Sequence, residues 1–528
     1  MVLALAWNKR FYSNRSYKDA LNCLNSLQTN FKMIQDFKKN KNAVRKTDQA
    51  IDEMKEYMYR LGYGKSLKEI DNLNCIHITG TKGKGSTAAF VNSILLNYSK
   101  YVDNSKINKV GLYTSPHLKT CRERIRINGE PISEQLFTKY FFEVWDGLNT
   151  TTSDEIKFPD LKNHKKPGYF KFLTLLSFHV FVQEKCNTCV YEVGIGGKYD
   201  STNIINNPTS TGISLLGIDH VNVLGDTVLK ICDNKIGIFK KNANNFSILG
   251  QPETEEVFGL MQKRLETIGS EEKLNLIPVF DQLDSKINKA FNLGINGDFQ
   301  KVNASLATAL SINHINKIAD NKTPIEFETK NGSNVWDHKM NVPDFIKDGL
   351  QECKWEGRCQ TIKDTDFKTW YLDGAHTIDS IQKSTDWFVQ TQVNKSTNSH
   401  KKTILYFNQQ SREDHVKEFL EYINTATKNH KIKFDEVLFS TNKTWSEGYS
   451  TDLVSMNVDV KQVDALTVQK RLKDIWLSEN NSENNVKIFD SIEDTYKYIK
   501  QQDGEVDIFV TGSLHLVGGL LVVMDGKQ

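Results

Sequence analysis

Residues 74–86 read NCIHITGTKGKGS, and the helical pattern TAAFVNSILLN follows at 87–97. An apolar run that ends in a glycine-rich loop and continues as a helix is typical of a strand–loop–helix unit in a parallel sheet. The amide groups of such a loop and the dipole of its helix favour an anion, and a loop lysine adds positive charge. The spacing is shorter than G-x-x-x-x-G-K-[ST], and one glycine separates Lys84 from Ser86. The stretch therefore predicts a variant phosphate loop.

Seven further apolar runs end in polar or small residues and predict strands of the same kind. They are KVGLYT (109–114), TCVYEVG (188–194), TGISLLGI (211–218), TWYLDGAH (369–376), KTILYFN (402–408), DEVLFST (435–441) and VDIFVTGS (506–513). Together with the first run they form two sets, so we expect an α/β fold with two parallel sheets. Ligands of such sheets bind beyond the carboxyl ends of the strands, where the polar residues converge.

The length of 528 residues fits two large domains with several insertions. We predict a first domain over 16–345 and a smaller second domain over 346–528. Residues 16–63 are expected to be mainly helical, because apolar residues recur near helical spacing. Four Asn- and Lys-rich stretches, 148–168, 318–340, 390–402 and 477–486, are interpreted as surface insertions.

The composition excludes several classes of protein. The chain has 68 Lys and Arg and 65 Asp and Glu, a net charge of +3, which argues against a nucleic-acid partner held by a diffuse positive field. Apolar runs are too short to span a bilayer, so no integral membrane segment is expected. Eight cysteines are too few for a disulfide scaffold, and we interpret Cys186 and Cys189 as packing residues in a reducing compartment.

The N-terminus has the character of an organelle presequence. Residues 1–18 contain four Lys or Arg residues among apolar and aromatic ones and no acidic residue, and RFYS at 10–13 resembles a processing site. We predict a mitochondrial presequence over 1–15. Met33 could start a second, cytosolic form, so mitochondrial and cytoplasmic locations are both expected. The alternative is an ordinary chain terminus.

Three residues at the ends of predicted strands are candidate metal ligands. Glu192 ends an apolar run, where a carboxylate needs a partner, and Mg²⁺ prefers such hard oxygen ligands. The alternative for Glu192 is a carboxylate that caps backbone or pairs with a lysine. His220 and Ser115 follow neighbouring runs, and either could instead be an ordinary hydrogen-bonded residue. All three belong to the sheet that carries the phosphate loop, which favours a shared site.

The sequence resembles the folylpolyglutamate synthase family, within the Mur ligase superfamily, and most closely its eukaryotic branch. The family's landmarks occur in order: HITGTKGKGSTAAF (77–90), LYTSPHL (112–118), RERIRINGEPIS (122–133), GYFKFLTLLSFHVF (168–181), YEVGIGGKYDSTNII (191–205), LGIDHVNVLGDTV (216–228), KIGIFK (235–240), YLDGAHT (371–377) and TGSLHLVGG (511–519). The resemblance implies a Mur-ligase-like ATP-binding domain and a smaller, Rossmann-like C-terminal domain that binds glutamate. Lys82 and Lys171 replace an asparagine and a glutamate that are common in bacterial members.

The resemblance also implies a role for individual residues. The ATP phosphates would be held by Gly80, Thr81, Lys82, Gly83, Lys84, Gly85 and Ser86, and the nucleotide also by Asn303, Arg358 and Asp373. One magnesium ion would bind Ser115 and Glu192, and a second Glu192 and His220. Potassium is a further expected cofactor. Lys235 matches a lysine that is carbamylated in relatives, and His376 and Ser513 would lie near the incoming glutamate. Phe299 departs from the family, which usually has histidine or tyrosine there.

The implied activity is an ATP-dependent ligation. L-Glutamate would be added to the γ-carboxylate of a reduced folate through an acyl phosphate, giving ADP and phosphate, and the enzyme would be a monomer. One alternative is dihydrofolate synthase, which adds the first glutamate to dihydropteroate on the same fold. A second alternative is a nucleotide-binding scaffold protein, which would usually have lost the phosphate-loop or metal-binding residues.

Overall fold

The computed structural model describes residues 15–28, 49–161, 165–283, 291–318, 324–330, 333–395, 401–410, 415–447, 465–480 and 485–526. Positions 1–14 of the expected presequence and Met33 lie outside these ranges. The described chain divides into two compact units. The first comprises residues within 1–117, 122–290 and 302–350, and the second residues within 118–121, 291–301 and 351–528. No helix among the described residues is long and apolar enough to cross a membrane.

An eight-stranded sheet forms the centre of the first unit. Its strands are β1 (Cys75–Thr79), β2 (Val110–Tyr113), β3 (Ile125–Ile127), β4 (Glu130–Pro131), β5 (Thr188–Glu192), β6 (Ser210–Ile213), β7 (Asn244–Ile248) and β8 (Asn275–Ile277). The spatial order is β4-β3-β2-β5-β1-β6-β7-β8. In this spatial order, every neighbouring pair from β2 through to β8 is parallel. At the other edge, β3 pairs antiparallel with both β2 and β4. The central strand β1 carries the phosphate loop at its carboxyl end.

The helices up to residue 352 follow the chain between these strands. They are α1 (Tyr17–Asn25), α2 (Ala50–Arg60), α3 (Lys68–Asp71), α4 (Lys84–Tyr101), α5 (Glu134–Thr150), α6 (Tyr169–Gln183), α7 (Val221–Leu224), α8 (Val228–Lys235), α9 (Thr254–Thr267), α10 (Gln300–Ile318) and α11 (Asp344–Glu352). Short 3₁₀ helices span Cys121–Arg124, Pro159–Leu161, Ser201–Ile204, Ile236–Ile238 and Asp281–Leu283. Side chains cap several starts: Ser16 forms a capping box with Asp19, and Ser133 accepts from the Leu136 amide.

A six-stranded sheet forms the centre of the second unit. Its strands are β9 (Gln360–Lys363), β10 (Lys368–Leu372), β11 (Lys402–Phe407), β12 (Glu436–Ser440), β13 (Val486–Phe489) and β14 (Val506–Thr511), in the order β13-β12-β11-β14-β10-β9. Only β9 is antiparallel to its neighbour. The helices are α12 (Ile378–Val393), α13 (Val416–Asn429), α14 (Thr467–Asn480), α15 (Ile492–Lys500) and α16 (Leu514–Met524).

Alternate residues of these strands pack into two separate cores. Tyr371 and Phe509 belong to one cluster, and Trp370, Leu372 and Ile508 to the other. Because successive side chains of a strand point to opposite faces, both faces of the sheet are covered and buried. This explains why the strands appear in the sequence as continuous apolar runs rather than as alternating ones.

The sequence predictions of the fold are largely confirmed. The eight predicted strands are β1, β2, β5, β6, β10, β11, β12 and β14, and the helical pattern at 87–97 lies within α4. Within 16–63, the described residues form α1 and α2. All eight cysteines lie in the described part of the chain and none forms a disulfide, and Cys186 and Cys189 are both buried, as expected for packing residues.

The predicted surface insertion 318–340 contains a buried anchor at Trp336. Trp336 is only 1% exposed, its ring stacks on Phe327 at 3.9 Å, and its indole N–H donates to Asn275 at 3.2 Å. The Trp336 amide donates to the Leu276 carbonyl at 3.0 Å, and the Leu276 amide to the Asn334 carbonyl at 2.9 Å. The segment therefore covers the outer edge of β8. In 148–168, Phe158 and Leu161 are likewise buried.

Candidate functional site

The phosphate loop occupies the turn between β1 and α4. Gly83 precedes the helix with φ at 87°, and a Cβ there would lie 2.1 Å from Oδ1 of Asn303. A Cβ at Gly80 would lie 1.9 Å from Oγ of Ser214. The loop backbone therefore fits closely between these two side chains, and neither glycine could be replaced without displacing a neighbour. The first amide groups of α4 have no carbonyl partner within the helix, an arrangement that favours an anion.

Hydrogen bonds join the loop to the segment that follows β6. The amides of Thr81 and Lys82 both donate to the Leu215 carbonyl, at 2.9 and 3.0 Å. Oγ of Ser214 donates to the Lys82 carbonyl at 2.7 Å, and Oγ1 of Thr81 donates to the Gly217 carbonyl at 3.0 Å. The loop is thus fixed from one side before any ligand binds.

Lys235 holds the loop from a second side. Its ammonium donates to the Gly80 carbonyl at 2.7 Å, and the residue is only 3% exposed. Burial, together with the charge of Lys84, holds the pKa of Lys235 well below its usual value. A buried lysine with a lowered pKa has a larger neutral fraction, and the neutral amine is the form that reacts as a nucleophile.

Glu192 and Ser115 meet at the carboxyl ends of neighbouring strands. Glu192 pairs in register with Ile78, two residues before the phosphate loop, and Tyr191 pairs with Tyr113. Glu192 is 4% exposed, and its Oε2 accepts from the Ser115 amide at 2.9 Å. The structure therefore brings the two predicted ligands together, beside the strand that carries the loop.

The turn after Glu192 is fixed by two further residues, Asp200 and Asn234. Oδ2 of Asp200 accepts from the amides of Gly194 and Ile195, at 3.1 and 3.2 Å, and burial raises the pKa of Asp200. Oδ1 of Asn234 accepts from the Gly197 amide at 3.1 Å. Asn234 is the neighbour of Lys235, so this turn and the phosphate loop are held by consecutive residues of α8. Asp200 acts within its own connecting segment, whereas Asn234 acts on a backbone amide 37 positions earlier in the chain.

His220 lies at the start of α7 and its side chain is exposed. Its neighbour Asp219 is 9% exposed and forms an ion pair with Lys82, with 3.3 Å between Nζ and Oδ2. Asp219 follows the apolar run 211–218 and precedes His220. Its ion pair is with a lysine that lies 137 residues earlier in the chain.

A second set of predicted residues gathers at the carboxyl ends of β10 and β14 in the second unit. Oδ2 of Asp373 accepts from the Cys359 amide at 2.8 Å and Oδ1 from the Ala375 amide at 2.9 Å, and burial raises the pKa of Asp373. Nη1 of Arg358 lies 3.1 Å from the position of a Cβ on Gly374. Arg358 and Asp373 are therefore close neighbours.

His376 and Ser513 belong to the same edge of that sheet. Nδ1 of His376 lies 2.9 Å from the Gly374 carbonyl, which places the imidazole beside the Asp373 turn. Ser513 caps α16, because its Oγ accepts from the His515 and Leu516 amides. Phe299, the departure from the family, packs against a core of the second unit with Lys383 Nζ 5.7 Å from its ring centre.

The donor atoms near the phosphate loop fit magnesium. Within the part of the chain that the structure describes, no group of three or more His, Cys, Asp or Glu side chains is arranged to hold a metal. Mg²⁺ does not need such a cage, because it keeps several waters and binds one or two carboxylates plus substrate phosphates. The buried Glu192 carboxylate beside Ser115 supplies such oxygen donors, whereas the His220 imidazole is a softer ligand.

Comparisons with known proteins give consistent results. A family model described as the C-terminal domain of dihydrofolate synthetase matches residues 357–523. A folylpolyglutamate synthase from Candida albicans is 45% identical over 98% of both chains. One from Saccharomyces cerevisiae (strain AWRI796) is 47% identical over 97% of this chain and 87% of its own.

Two solved structures share the fold. A Mycobacterium tuberculosis folylpolyglutamate synthase complexed with ADP has a TM-score of 0.66 at 18% identity and covers 97% of this chain and 99% of its own. Escherichia coli FolC in complex with DHPP and ADP has a TM-score of 0.62 at 18% identity, over 97% and 98% of the two chains. The α/β fold with two sheets is thereby confirmed as that of these ligases.

Proposed function

This chain belongs to the folylpolyglutamate synthase family, and we propose that it adds L-glutamate to the γ-carboxylate of reduced folates by an ATP-dependent ligation. The observation that carries the proposal is the 45% identity to a folylpolyglutamate synthase over 98% of both chains. The geometry agrees with it, because a tightly held phosphate loop opens a helix at the carboxyl edge of a parallel sheet.

The proposed chemistry activates a carboxylate that would otherwise resist attack. An oxygen of the folate γ-carboxylate attacks the terminal phosphorus of ATP, and ADP leaves. The amine of glutamate then attacks the carbonyl carbon of the acyl phosphate, and inorganic phosphate leaves as the amide forms. Negative charge develops first on phosphoryl oxygens and then on the carbonyl oxygen, so preorganised positive groups accelerate both steps.

The first unit supplies groups that bind and orient the phosphates. The amides of the first turn of α4 and the Lys84 ammonium provide positive charge at the loop. Ser115 and Glu192 would hold one magnesium ion, with His220 contributing to a second; when bound, magnesium neutralises charge on the transferring phosphoryl group. Asn303 lies against Gly83 and is proposed to contact the nucleotide.

Lys235 is proposed to carry a carbamate. The neutral amine would attack carbon dioxide, forming an N–C bond and releasing a proton, and its lowered pKa favours this reaction. The product would be an anion whose N–H can still donate to the Gly80 carbonyl. Protein incubated with ¹³C-bicarbonate should show a carbamate signal by NMR that is absent from Lys235→Met; no difference between the two proteins would contradict the modification.

The second unit is proposed to bind the incoming glutamate and part of the nucleotide. Ser513 caps the eleven-residue helix α16, whose N-terminus favours a carboxylate. His376 lies beside the same strand ends and is proposed to contact that carboxylate. Arg358 and Asp373 are proposed nucleotide contacts, because they match nucleotide-binding positions of the family and lie close together in the second unit.

The family model named for dihydrofolate synthetase supports a second candidate activity, the addition of the first glutamate to dihydropteroate. A paired assay separates the two. Purified protein receives magnesium, ATP and glutamate with either tetrahydrofolate or dihydropteroate, and products are identified by mass spectrometry. A ladder of glutamates on tetrahydrofolate alone supports the proposal. A single addition to dihydropteroate alone assigns dihydrofolate synthase instead.

Further properties remain proposals that solution experiments can test. We propose two magnesium sites and a dependence on potassium, to be read from activity against each ion. A monomer is proposed and can be checked by light scattering.

Mitochondrial and cytoplasmic forms are proposed from the basic N-terminus and Met33. Fusions of residues 1–32 to a fluorescent protein should enter mitochondria, whereas translation from Met33 should leave the protein in the cytoplasm.

A further inference from the structure

The two lysines of the phosphate loop have different surroundings. Lys84 is the first residue of α4. Lys82 instead forms the ion pair with Asp219, and the two side chains are 22% and 8% exposed. Charges that are shielded from water interact more strongly than surface charges do, so this pair fixes the Lys82 side chain.

Asp219 divides its two carboxylate oxygens between different partners. Oδ2 faces the ammonium of Lys82, whereas Oδ1 accepts from the His220 amide at 2.8 Å. One buried carboxylate therefore joins the phosphate loop to the backbone of His220. Hydrogen bonds to a charged group are stronger than neutral ones, which suits this connection.

His220 needs such a connection, because its backbone is in an unfavourable conformation. Its φ is 52°, in the left-handed region that residues with a Cβ seldom adopt. On the other side, its carbonyl accepts from the amides of Val223 and Leu224, at 2.9 and 3.0 Å. The backbone of His220 is thus held both before and after the residue. The imidazole is exposed, and the backbone of His220 sets the point from which it extends.

We propose that Lys82 and Asp219 are a positioning pair, which sets the place of His220 relative to the phosphate loop. Lys82 acts through Asp219, and not as a ligand of the nucleotide. This inference rests on the proposed function, in which His220 binds a metal ion beside the ATP phosphates. It assigns the two loop lysines separate tasks: Lys84 serves the phosphates, and Lys82 serves the metal-binding residue.

A double-mutant cycle tests the pair. The variants are Lys82→Met, Asp219→Asn and both together. The readouts are the affinity for Mn²⁺ in the presence of ADP, by electron paramagnetic resonance, and the affinity for ADP in EDTA. We expect each single change to weaken Mn²⁺ binding about tenfold, as for residues that orient metal ligands. The double variant should be no weaker than the singles, and ADP binding in EDTA should be unchanged.

Two results would overturn the proposal. If Lys82→Met weakens ADP binding in EDTA and Asp219→Asn does not, Lys82 is a nucleotide ligand. If the effects on Mn²⁺ affinity add in the double variant, or neither variant changes it, the two residues do not act as a pair. A merely structural pair would lower thermal stability without changing the Mn²⁺ affinity of the folded protein.

Three controls complete the experiment. Lys82→Arg keeps the positive charge and should keep Mn²⁺ affinity close to the original value, so Lys82→Met and Lys82→Arg decide the matter even if Asp219→Asn does not fold. Lys230→Met breaks an exposed ion pair in the same region, in which Nζ lies 2.9 Å from Oδ1 of Asp226. It should leave the affinities for Mn²⁺ and ADP unchanged. The folate assay on the unaltered enzyme tests the proposed function, whereas the Mn²⁺ and ADP measurements need no folate, so the two failures are distinguishable.

Discussion

Lys235 and Gly80 are joined by a hydrogen bond of 2.7 Å from the lysine ammonium to the glycine carbonyl. This contact connects the last residue of α8 with the first residue of the phosphate loop, across 155 positions of the chain. It also leaves an amine in a buried place where its charged form is disfavoured. The arrangement therefore affects both the stability of the enzyme and its response to pH.

We expect Lys235 to make stability depend on pH. Its pKa is lowered in the folded state below its ordinary value, by burial first and by the charge of Lys84 next. Between the folded and unfolded pKa values the unfolded chain binds more protons, so the free energy of unfolding rises with pH in that window. Lys235→Met should remove this rise, as read from thermal melting in buffer free of carbon dioxide at a series of pH values.

The same change at an exposed lysine provides the comparison. Lys230 lies on the same helix and its side chain is 63% exposed. Lys230→Met should leave the pH dependence of melting as it was. A slope that survives in Lys235→Met would show that the buried amine is not its source.

Glu192→Gln should lower turnover by about a hundredfold or more, the usual effect of removing one preorganised charge at a reacting centre. The fold should persist, because the amide oxygen of glutamine can still accept from the Ser115 backbone. Steady-state kinetics and circular dichroism measure the two effects. Glu184→Gln is the matched control, since Glu184 pairs with Lys109 at 2.7 Å, at the amino end of β2. Near-normal turnover in folded Glu192→Gln would contradict the assignment of Glu192.

Lys84→Ala should also lower turnover by about a hundredfold, because the ammonium stabilises charge on the transferring phosphoryl group. Lys100→Ala, at the other end of the same helix, should retain full activity. Single-turnover measurements with saturating ATP distinguish slower chemistry from weaker binding. An equal loss in both variants would point to disruption of α4 and not to a role at the phosphates.

Gly83→Ala should abolish nucleotide binding through two physical effects. The φ of 87° strains any residue with a Cβ, and the added methyl would lie 2.1 Å from Asn303 Oδ1. Binding of a fluorescent ADP analogue measures the loss. Gly259→Ala lies in the exposed part of α9 with nothing within 4 Å of its Cβ, and should stabilise the protein by about 0.5–1 kcal/mol. Retained binding in Gly83→Ala would show that the loop can move.

The strands that were predicted from sequence are apolar strands that are buried on both faces. Their apolar runs can be recognised without knowledge of the tertiary structure. The polar residues at the ends of the runs mark the carboxyl edge of each sheet. β7 was missed because it begins Asn244-Asn245. The Asn245 side chain is fully buried, and its Oδ1 accepts from Thr211 at 2.7 Å. A polar residue can thus occupy an interior strand when a neighbouring strand supplies its partner, which the local sequence does not reveal.

In the candidate site, too, some residues were predictable from the sequence and others were not. Ser115 and Glu192 could be predicted to lie together because both follow strands of one parallel sheet. In the structure, the Ser115 amide donates to Glu192 Oε2 at 2.9 Å. Ser214 and Asp219 could not be recognised from the sequence, because each acts on the backbone or charge of a segment more than 130 positions away. Their contribution depends on the folded arrangement, whereas the loop glycines and lysines are recognisable from their spacing alone.

The segment around Trp336 has a consequence for how copies of this protein behave in concentrated solution. Its backbone hydrogen-bonds to the amide and the carbonyl of Leu276 at the outer edge of β8. These groups would otherwise be available to a strand from another molecule. An enzyme shortened here would therefore lose its colloidal stability before its catalytic residues were touched, and would aggregate through edge-to-edge strand pairing.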